Sequence, residues 1–524
     1  MVWLTVALFA SLSLLATVQH PTYRAPDEPR HVDLVRLMSQ HPLSYPNFDE
    51  RHVSEAVQRS TPVVGVTVKD FTSFRRLRNH APPATKRPSF SDLGSEKQTT
   101  ELNQLAQHPP LYYVAAGLTL RAVTELVPGA KDWPFDRTVL FLRVLSVLLV
   151  LPIPLLAFLT ARRLGADDFT GTAAALLSFI APYFTTVISC VTNDSLLVLE
   201  GGLLTYLLAR VWTGDLSRRT AVVVGVVLGA ALLTKGLALY MPVFVAAAYA
   251  LAAARSRVRR AALAPASIAV GVGLVLGGWW WVRNLLVNGA VQPTAVVYPQ
   301  PGARQFSDWY WLGRMMRVMS EQFFVPFYGT GLHASLARAL IVLCWATIGV
   351  CLLAWIVRRR RTDRFAVAEA GLLAMPVIAP LTMVLWSTYQ WWLDFFRFVG
   401  VGARYMLPGT VGATVLIAGG AHMLSRGNAR LVAVVSLTLV GGAHLWGTLA
   451  DLRKFFGPSQ AGYKQWFLAM LDWAPIPSRV TVGLVVLVAM LWAATLSAIC
   501  LHRTGARETA ATAGRPASER LSAA

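Results

Sequence analysis

Apolar runs long enough to cross a lipid bilayer recur along this sequence, and that recurrence restricts the fold more than any other feature. A helix needs about 20 consecutive apolar residues to span a hydrocarbon core about 30 Å thick. The opening run, 2–18, is followed by others at approximately 138–160, 171–189, 195–213, 220–238, 239–254, 264–282, 335–356, 367–387, 406–424, 430–447 and 480–501. That makes about twelve spans, each of which must be helical because lipid offers the backbone no hydrogen bonds. Only 14% of the 524 residues are charged, against about a quarter in soluble domains. A soluble enzyme, a disordered chain and a disulfide scaffold are excluded. The predicted fold class is an all-α polytopic membrane protein, with one transmembrane domain over 1–501.

The formal charge of +21 would suggest nucleic acid on a soluble protein. On a membrane protein it marks the cytoplasmic loops instead, so the expected partner is the bilayer and no nucleic acid. Lysine occurs seven times among the 48 basic residues, so arginine supplies 41. With the Ala, Val and Gly richness, this fits a high-GC bacterial coding sequence and the plasma (inner) membrane of a bacterial cell. Cys190, Cys344, Cys351 and Cys500 lie in or beside apolar runs with no C-x-x-C spacing, and form neither a disulfide framework nor a zinc site.

The first run lacks a basic n-region and a small-x-small cleavage site before His20, so it reads as an uncleaved helix. The clusters Arg162/Arg163, Arg218/Arg219, Arg255 to Arg260, Arg358 to Arg364, Arg426/Arg430 and Arg503/Arg507 share one side if both termini are cytoplasmic. The exterior side then receives loops at 19–137, about 283–334 and about 388–405, with a smaller one at 448–479. This parity requires Pro109–Val127, which carries Arg121 and Glu125, to lie half-inserted along the exterior face. The tail 502–524, rich in Ala, Arg, Ser, Thr and Glu, reads as disordered and cytoplasmic.

Four groups of residues carry chemistry. In Pro26-Asp27-Glu28-Pro29-Arg30-His31, the prolines restrict the backbone around an acidic pair just past the opening span. Asp27 reads equally as a helix N-cap, and His31 shares its helix face or sits at the interface. Gln107-His108-Pro109-Pro110-Leu111-Tyr112-Tyr113 opens the half-inserted helix, where Pro at a helix start and interfacial Tyr are ordinary but His108 is not. Asn193-Asp194-Ser195 lies at an exterior helix end and also suits a cap, while Glu200, farther along, is an intramembrane carboxylate that must face protein. Lys235, Arg283, Arg397 and Arg404 break the charge rule on the exterior side. Snorkelling explains any one of them, but four beside Trp- and Tyr-rich segments suggest an anion site.

Carboxylates and cations at one membrane face suit sugar transfer from a lipid-linked phosphosugar. Cations stabilise the departing polyprenyl phosphate, and a carboxylate base takes the acceptor proton. One base and no covalent intermediate would invert the sugar carbon.

The order of these motifs resembles the GT-C superfamily of integral membrane glycosyltransferases, which includes protein O-mannosyltransferases and lipid A aminoarabinose transferases. The similar elements are Pro26-Asp27-Glu28-Pro29, His108-Pro109-Pro110-Leu111-Tyr112-Tyr113, Arg162-Arg163-Leu164-Gly165, Asn193-Asp194, Trp280-Trp281-Val282-Arg283-Asn284 and Arg404-Tyr405-Met406-Leu407-Pro408. They cover about residues 1–410, and the Pro-Asp-Glu-Pro-x-His form is most similar to a bacterial group of predicted GT-C-like membrane proteins. The resemblance implies a GT-C-like bundle whose long first exterior loop contains juxtamembrane helices. It implies Asp27 as catalytic carboxylate, Glu28 as acceptor-orienting or metal-holding, Asp194 as a second acid and Arg404 as the donor-phosphate ligand. Lys235 and Arg283 join the phosphate site by looser matches, and His31, His108, Tyr112 and Asn193 the acceptor or orienting set. A divalent cation stays open, with Glu28 and His108 as its candidate ligands.

The function these features imply is a glycosyltransferase acting on a glycan, lipid or protein acceptor of the cell envelope, recognised by 44–108 and 284–334. The rival is a transporter or flippase of a polyprenyl-linked glycolipid, which should show broken helices at mid-membrane depth. A non-catalytic assembly subunit is the third reading.

Overall fold

The computed structural model describes residues 1–25, 27–65, 83–256, 259–294, 306–324, 334–399, 402–456 and 462–502. Pro26, the tail 503–524 and parts of both large loops expected to recognise an acceptor lie outside them. The chain is an all-α, multi-pass membrane protein with one small two-stranded sheet. Ten of the described helices are long and apolar enough to cross a membrane, or eleven if one bent pair is a single span. Each of the predicted apolar runs contains helix, and the count differs from about twelve because two of them are broken or shortened.

The 171–189 run breaks into Asp168–Leu177 and Pro182–Ile188, bent by 66°. Pro182 has no N–H to donate and holds Ala181 in an extended conformation. The 220–238 run forms Arg218–Leu232, 15 residues, about 22 Å of helix. It still runs from one face to the other, because it starts beyond Trp212, where the preceding helix Asp194–Trp212 ends, and finishes three residues before Lys235, whose ammonium lies 2.6 Å from Asp194.

The two ends of the bundle differ in charge chemistry. At one, Arg255 pairs with Asp363 and Glu369, Arg359 lies 3.4 Å from Glu369, and Arg430 donates to the His502 carbonyl. The other gathers Asp27, Asp194, Lys235 and Arg404. Small residues let helices approach between the faces. A Cβ on Gly277 would fall 2.2 Å from the Gly229 carbonyl oxygen, so Arg218–Leu232 and the helical stretch 260–288 meet backbone to backbone there.

The first loop is itself built. Glu28–Gln40 packs on Leu111–Leu126, and a short antiparallel pair, His52–Ser54 with Gln98–Leu102, closes its outer part. Val32, Val35, Met38, Tyr112, Tyr113 and Phe135 form its buried core. Asp33 anchors it, accepting from Arg51 at 2.6 and 2.9 Å and from Asn103 at 2.8 Å.

Candidate active site

Asp27 stands at the start of Glu28–Gln40 in the left-handed region, with φ 58°. Non-glycine residues adopt that conformation seldom, and Asp is among those that tolerate it. Its backbone carbonyl accepts from Arg30 and His31, as an N-cap carbonyl does, but its side chain makes no capping hydrogen bond. The carboxylate instead faces Arg404, whose terminal nitrogen is 3.3 Å from Oδ2, and Arg30, at 3.7 Å from Oδ1. Glu101, from the strand Gln98–Leu102, holds Arg30 at 2.8 Å. Arg30 escaped the sequence reading because beside a proline it looks like an ordinary interfacial cation.

The Asn193–Asp194 turn supplies the second carboxylate, 2% exposed. Asp194 Oδ1 accepts from Lys235 Nζ at 2.6 Å and Oδ2 from the Thr192 hydroxyl at 3.2 Å, while Arg404 Nε approaches Oδ2 to 3.8 Å. Arg404 therefore stands between both carboxylates. Its turn is held from two sides. Gln322 Oε1 accepts from the Ala403 N–H at 2.9 Å, and Pro408 lies so close to Gly201 that a Cβ there would meet its carbonyl oxygen at 2.5 Å. The Tyr405 ring packs beneath both cations, 5.0 Å from Lys235 Nζ and 5.3 Å from the Arg404 guanidinium. Asn193 ties its own turn to the segment that carries Lys235 by donating to the Thr234 carbonyl at 3.3 Å, and Thr234 donates to Glu200 at 2.9 Å.

Glu28 is a correction. It is fully buried and saturated: Arg143 donates to both carboxylate oxygens at 2.7 Å, the Tyr23 N–H at 2.9 Å and the Val191 N–H at 3.0 Å. No oxygen is left to orient an acceptor or bind a metal. Arg143 also donates to the Thr17, His20 and Pro21 carbonyls, clamping the end of the first span against Phe135–Val150. Its sequence signal was an arginine inside the apolar run 138–160, where a charge needs a buried partner. Among the described residues no three His, Cys, Asp or Glu side chains are grouped to hold a metal ion.

The orienting residues divide. His31 Nδ1 and the Tyr113 hydroxyl share a hydrogen bond at 3.0 Å, and the two rings stack. Tyr112, one position earlier and so rotated by about 100° around the helix, turns to the Ser146 hydroxyl at 3.3 Å. Tyr113 rather than Tyr112 thus reaches the His31 side. The His108 carbonyl accepts from Tyr45 at 2.9 Å, and Tyr45 packs on both Tyr113 and Trp280. Burial first, and the Lys235 ammonium second, push both imidazoles, His31 and His108, well below the usual histidine range. They are neutral near pH 7.

Arg283 is the other correction. It lies over the Trp280 ring and donates to Asn284 at 3.3 Å, and among the described residues it forms no ion pair with Asp27 or Asp194, because its helix turns it along the aromatic wall instead.

The arrangement presents two carboxylates and three cations, Arg30, Lys235 and Arg404, at one membrane face. An anion entering here can draw Arg404 and Lys235 from their carboxylates, which leaves Asp27 with Arg30 alone.

A family model described as "Predicted membrane protein (DUF2142)" matches residues 9–413. No curated protein matches the chain. Among solved structures the chain is similar to ArnT from Cupriavidus metallidurans in the apo state, at 15% identity and TM-score 0.41 over 90% of this chain and 72% of that one. The same protein bound to undecaprenyl phosphate aligns at 15% identity and TM-score 0.42, over 95% of this chain and 76% of that one.

Proposed function

The chain belongs to the DUF2142 family of predicted membrane proteins, and we propose that it is an inverting glycosyltransferase using a polyprenyl-phosphate sugar on the exterior face of a bacterial plasma membrane. The observation that carries this reading is Asp27 beside Arg404 at 3.3 Å, with Lys235 and Asp194 in the same cluster. The GT-C-like order of motifs supports it.

The donor is a phosphodiester with one negative charge. Arg404 and Lys235 move from the carboxylates to its phosphate oxygens, where the guanidinium fork matches two oxygens and the ammonium a third. Asp27, still braced by Arg30, accepts the proton of the acceptor hydroxyl. The acceptor oxygen bonds to the sugar carbon as that carbon's bond to the phosphate oxygen breaks, on the opposite face, so configuration inverts. The leaving polyprenyl phosphate gains a charge while Asp27 loses one. Net charge in the cavity is constant through the step, so the fixed cations stabilise charge that moves within their reach.

A flippase would use a broken helix to line its substrate path. The break before Pro182 is filled instead. Phe9 packs on Phe179 and Phe184, and His444 meets the Phe179 carbonyl at 2.7 Å. The test is to reconstitute the purified protein in vesicles with a polyprenyl-phosphate sugar and an envelope acceptor. Release of polyprenyl phosphate with an inverted glycosidic product is expected. Movement of the lipid across the bilayer without any product overturns the reading.

A further inference from the structure

At the arginine-rich face, which the charge bias makes cytoplasmic, the ends of five helices surround a cavity of about 630 Å³. Four arrive by their C-termini, at Arg163, Trp212, Arg255 and Arg359, and one by its start, near Glu369. The cavity is separated from Asp194 by the whole of Asp194–Trp212, about 28 Å of helix, and takes no part in the site above. Its size is that of a small-molecule pocket.

Converging C-termini bring partial negative charge, and the arginines first answer that. Arg255 donates to the Trp212 carbonyl at 3.3 Å and to Glu369 at 2.8 Å, and also pairs with Asp363. Arg163 gives Nε to Thr213 at 2.7 Å. The donors then exceed the acceptors. Trp212, 1% exposed, has an indole N–H with no partner and Arg359 Nε has none either, against one acceptor without a hydrogen bond, Glu369 Oε1, which the Arg359 guanidinium faces at 3.4 Å. Beyond the rim, Arg358, Arg360, Arg361 and Arg364 are exposed. A ligand that brings acceptor oxygens and negative charge would satisfy the two open donors and answer the excess of arginine over carboxylate in the lining.

We propose that this cavity binds a phosphate ester, supplied by an anionic phospholipid headgroup of the inner leaflet, with Arg163, Arg359 and the Trp212 indole as its donors. Basic pockets between membrane helices at this face take such headgroups, and Leu164, Leu216 and Ala252 line the rest of the cavity with apolar surface. The proposal is independent of the catalytic reading.

The experiment uses the purified full-length chain in detergent, delipidated and supplied with phosphatidylglycerol, phosphatidylcholine or inorganic phosphate. Native mass spectrometry and thermal melting are the readouts. Phosphatidylglycerol should be retained and raise the melting temperature, and the Arg163→Gln/Arg359→Gln variant should retain about thirtyfold less of it. Trp212→Phe, which keeps the packed ring, should weaken retention without lowering the melting temperature of the lipid-free protein. Stabilisation by inorganic phosphate as well keeps the phosphate chemistry and makes a soluble ester the source. Equal retention of phosphatidylcholine, or unchanged phosphatidylglycerol retention in both variants, overturns the proposal.

Discussion

Arg143 grips Glu28 with both arms of its guanidinium, 2.7 Å to each carboxylate oxygen, where both side chains are almost wholly shielded from solvent. This pair, and not a catalytic task, accounts for the second acid of the first-loop motif. It fixes the backbone that turns Asp27 toward Arg404.

Glu28→Gln should therefore act on the fold. It leaves a buried guanidinium without its counter-charge, at a cost of about 3–5 kcal/mol. The melting temperature of the purified protein should fall well below that of Asp27→Asn. If Glu28→Gln melts as the wild type does but loses activity, the structural role of Glu28 is wrong.

The carboxylate of Asp27 competes with a donor phosphate for Arg404. Asp27→Asn removes the competitor, so a short-chain polyprenyl phosphate should bind more tightly to the variant than to the wild type, by about fivefold for roughly 1 kcal/mol of released pairing. Arg404→Gln should weaken the same binding. Isothermal titration with the analogue reads both, and unchanged affinity in Asp27→Asn would separate the two residues.

His31 and His108 are held below the ordinary histidine range in the folded protein. Their unfolded forms take up protons near about pH 6.5 while the folded forms do not. Stability should thus be level above that pH and fall as the pH drops below it. Replacing both with Gln should flatten this decline in melting temperature between about pH 7 and pH 5. An equally steep decline in the double variant would contradict the assignment.

Gly201 sets the depth of the Arg404 turn through Pro408. Gly201→Val should force the two apart at a cost of about 1–3 kcal/mol. Phosphate affinity should fall while Asp194 and Lys235 remain paired. A variant with wild-type affinity would show that the close approach does not position Arg404.

Much of the bundle was legible because lipid allows few ways to place a run of apolar residues, and the meeting of Asp27 with Arg404 was legible because Arg404 breaks the charge rule at the face where the acidic pair stands. What was not legible depends on geometry finer than spacing. Tyr112 and Tyr113 are neighbours in sequence, yet a single helical step sends one to Ser146 and the other to His31. Glu28 and Asp27 look alike in the motif, and only a distant arginine, Arg143, distinguishes them. The shortened Arg218–Leu232 helix and the bend before Pro182 depend on helix ends, which hydropathy locates poorly.

The most direct measurement is sugar transfer by Asp27→Asn in membranes containing the polyprenyl-phosphate donor, at matched expression. Turnover should fall about 10²- to 10⁴-fold with the donor still bound. Wild-type turnover from that variant would contradict the assignment of Asp27 as the base.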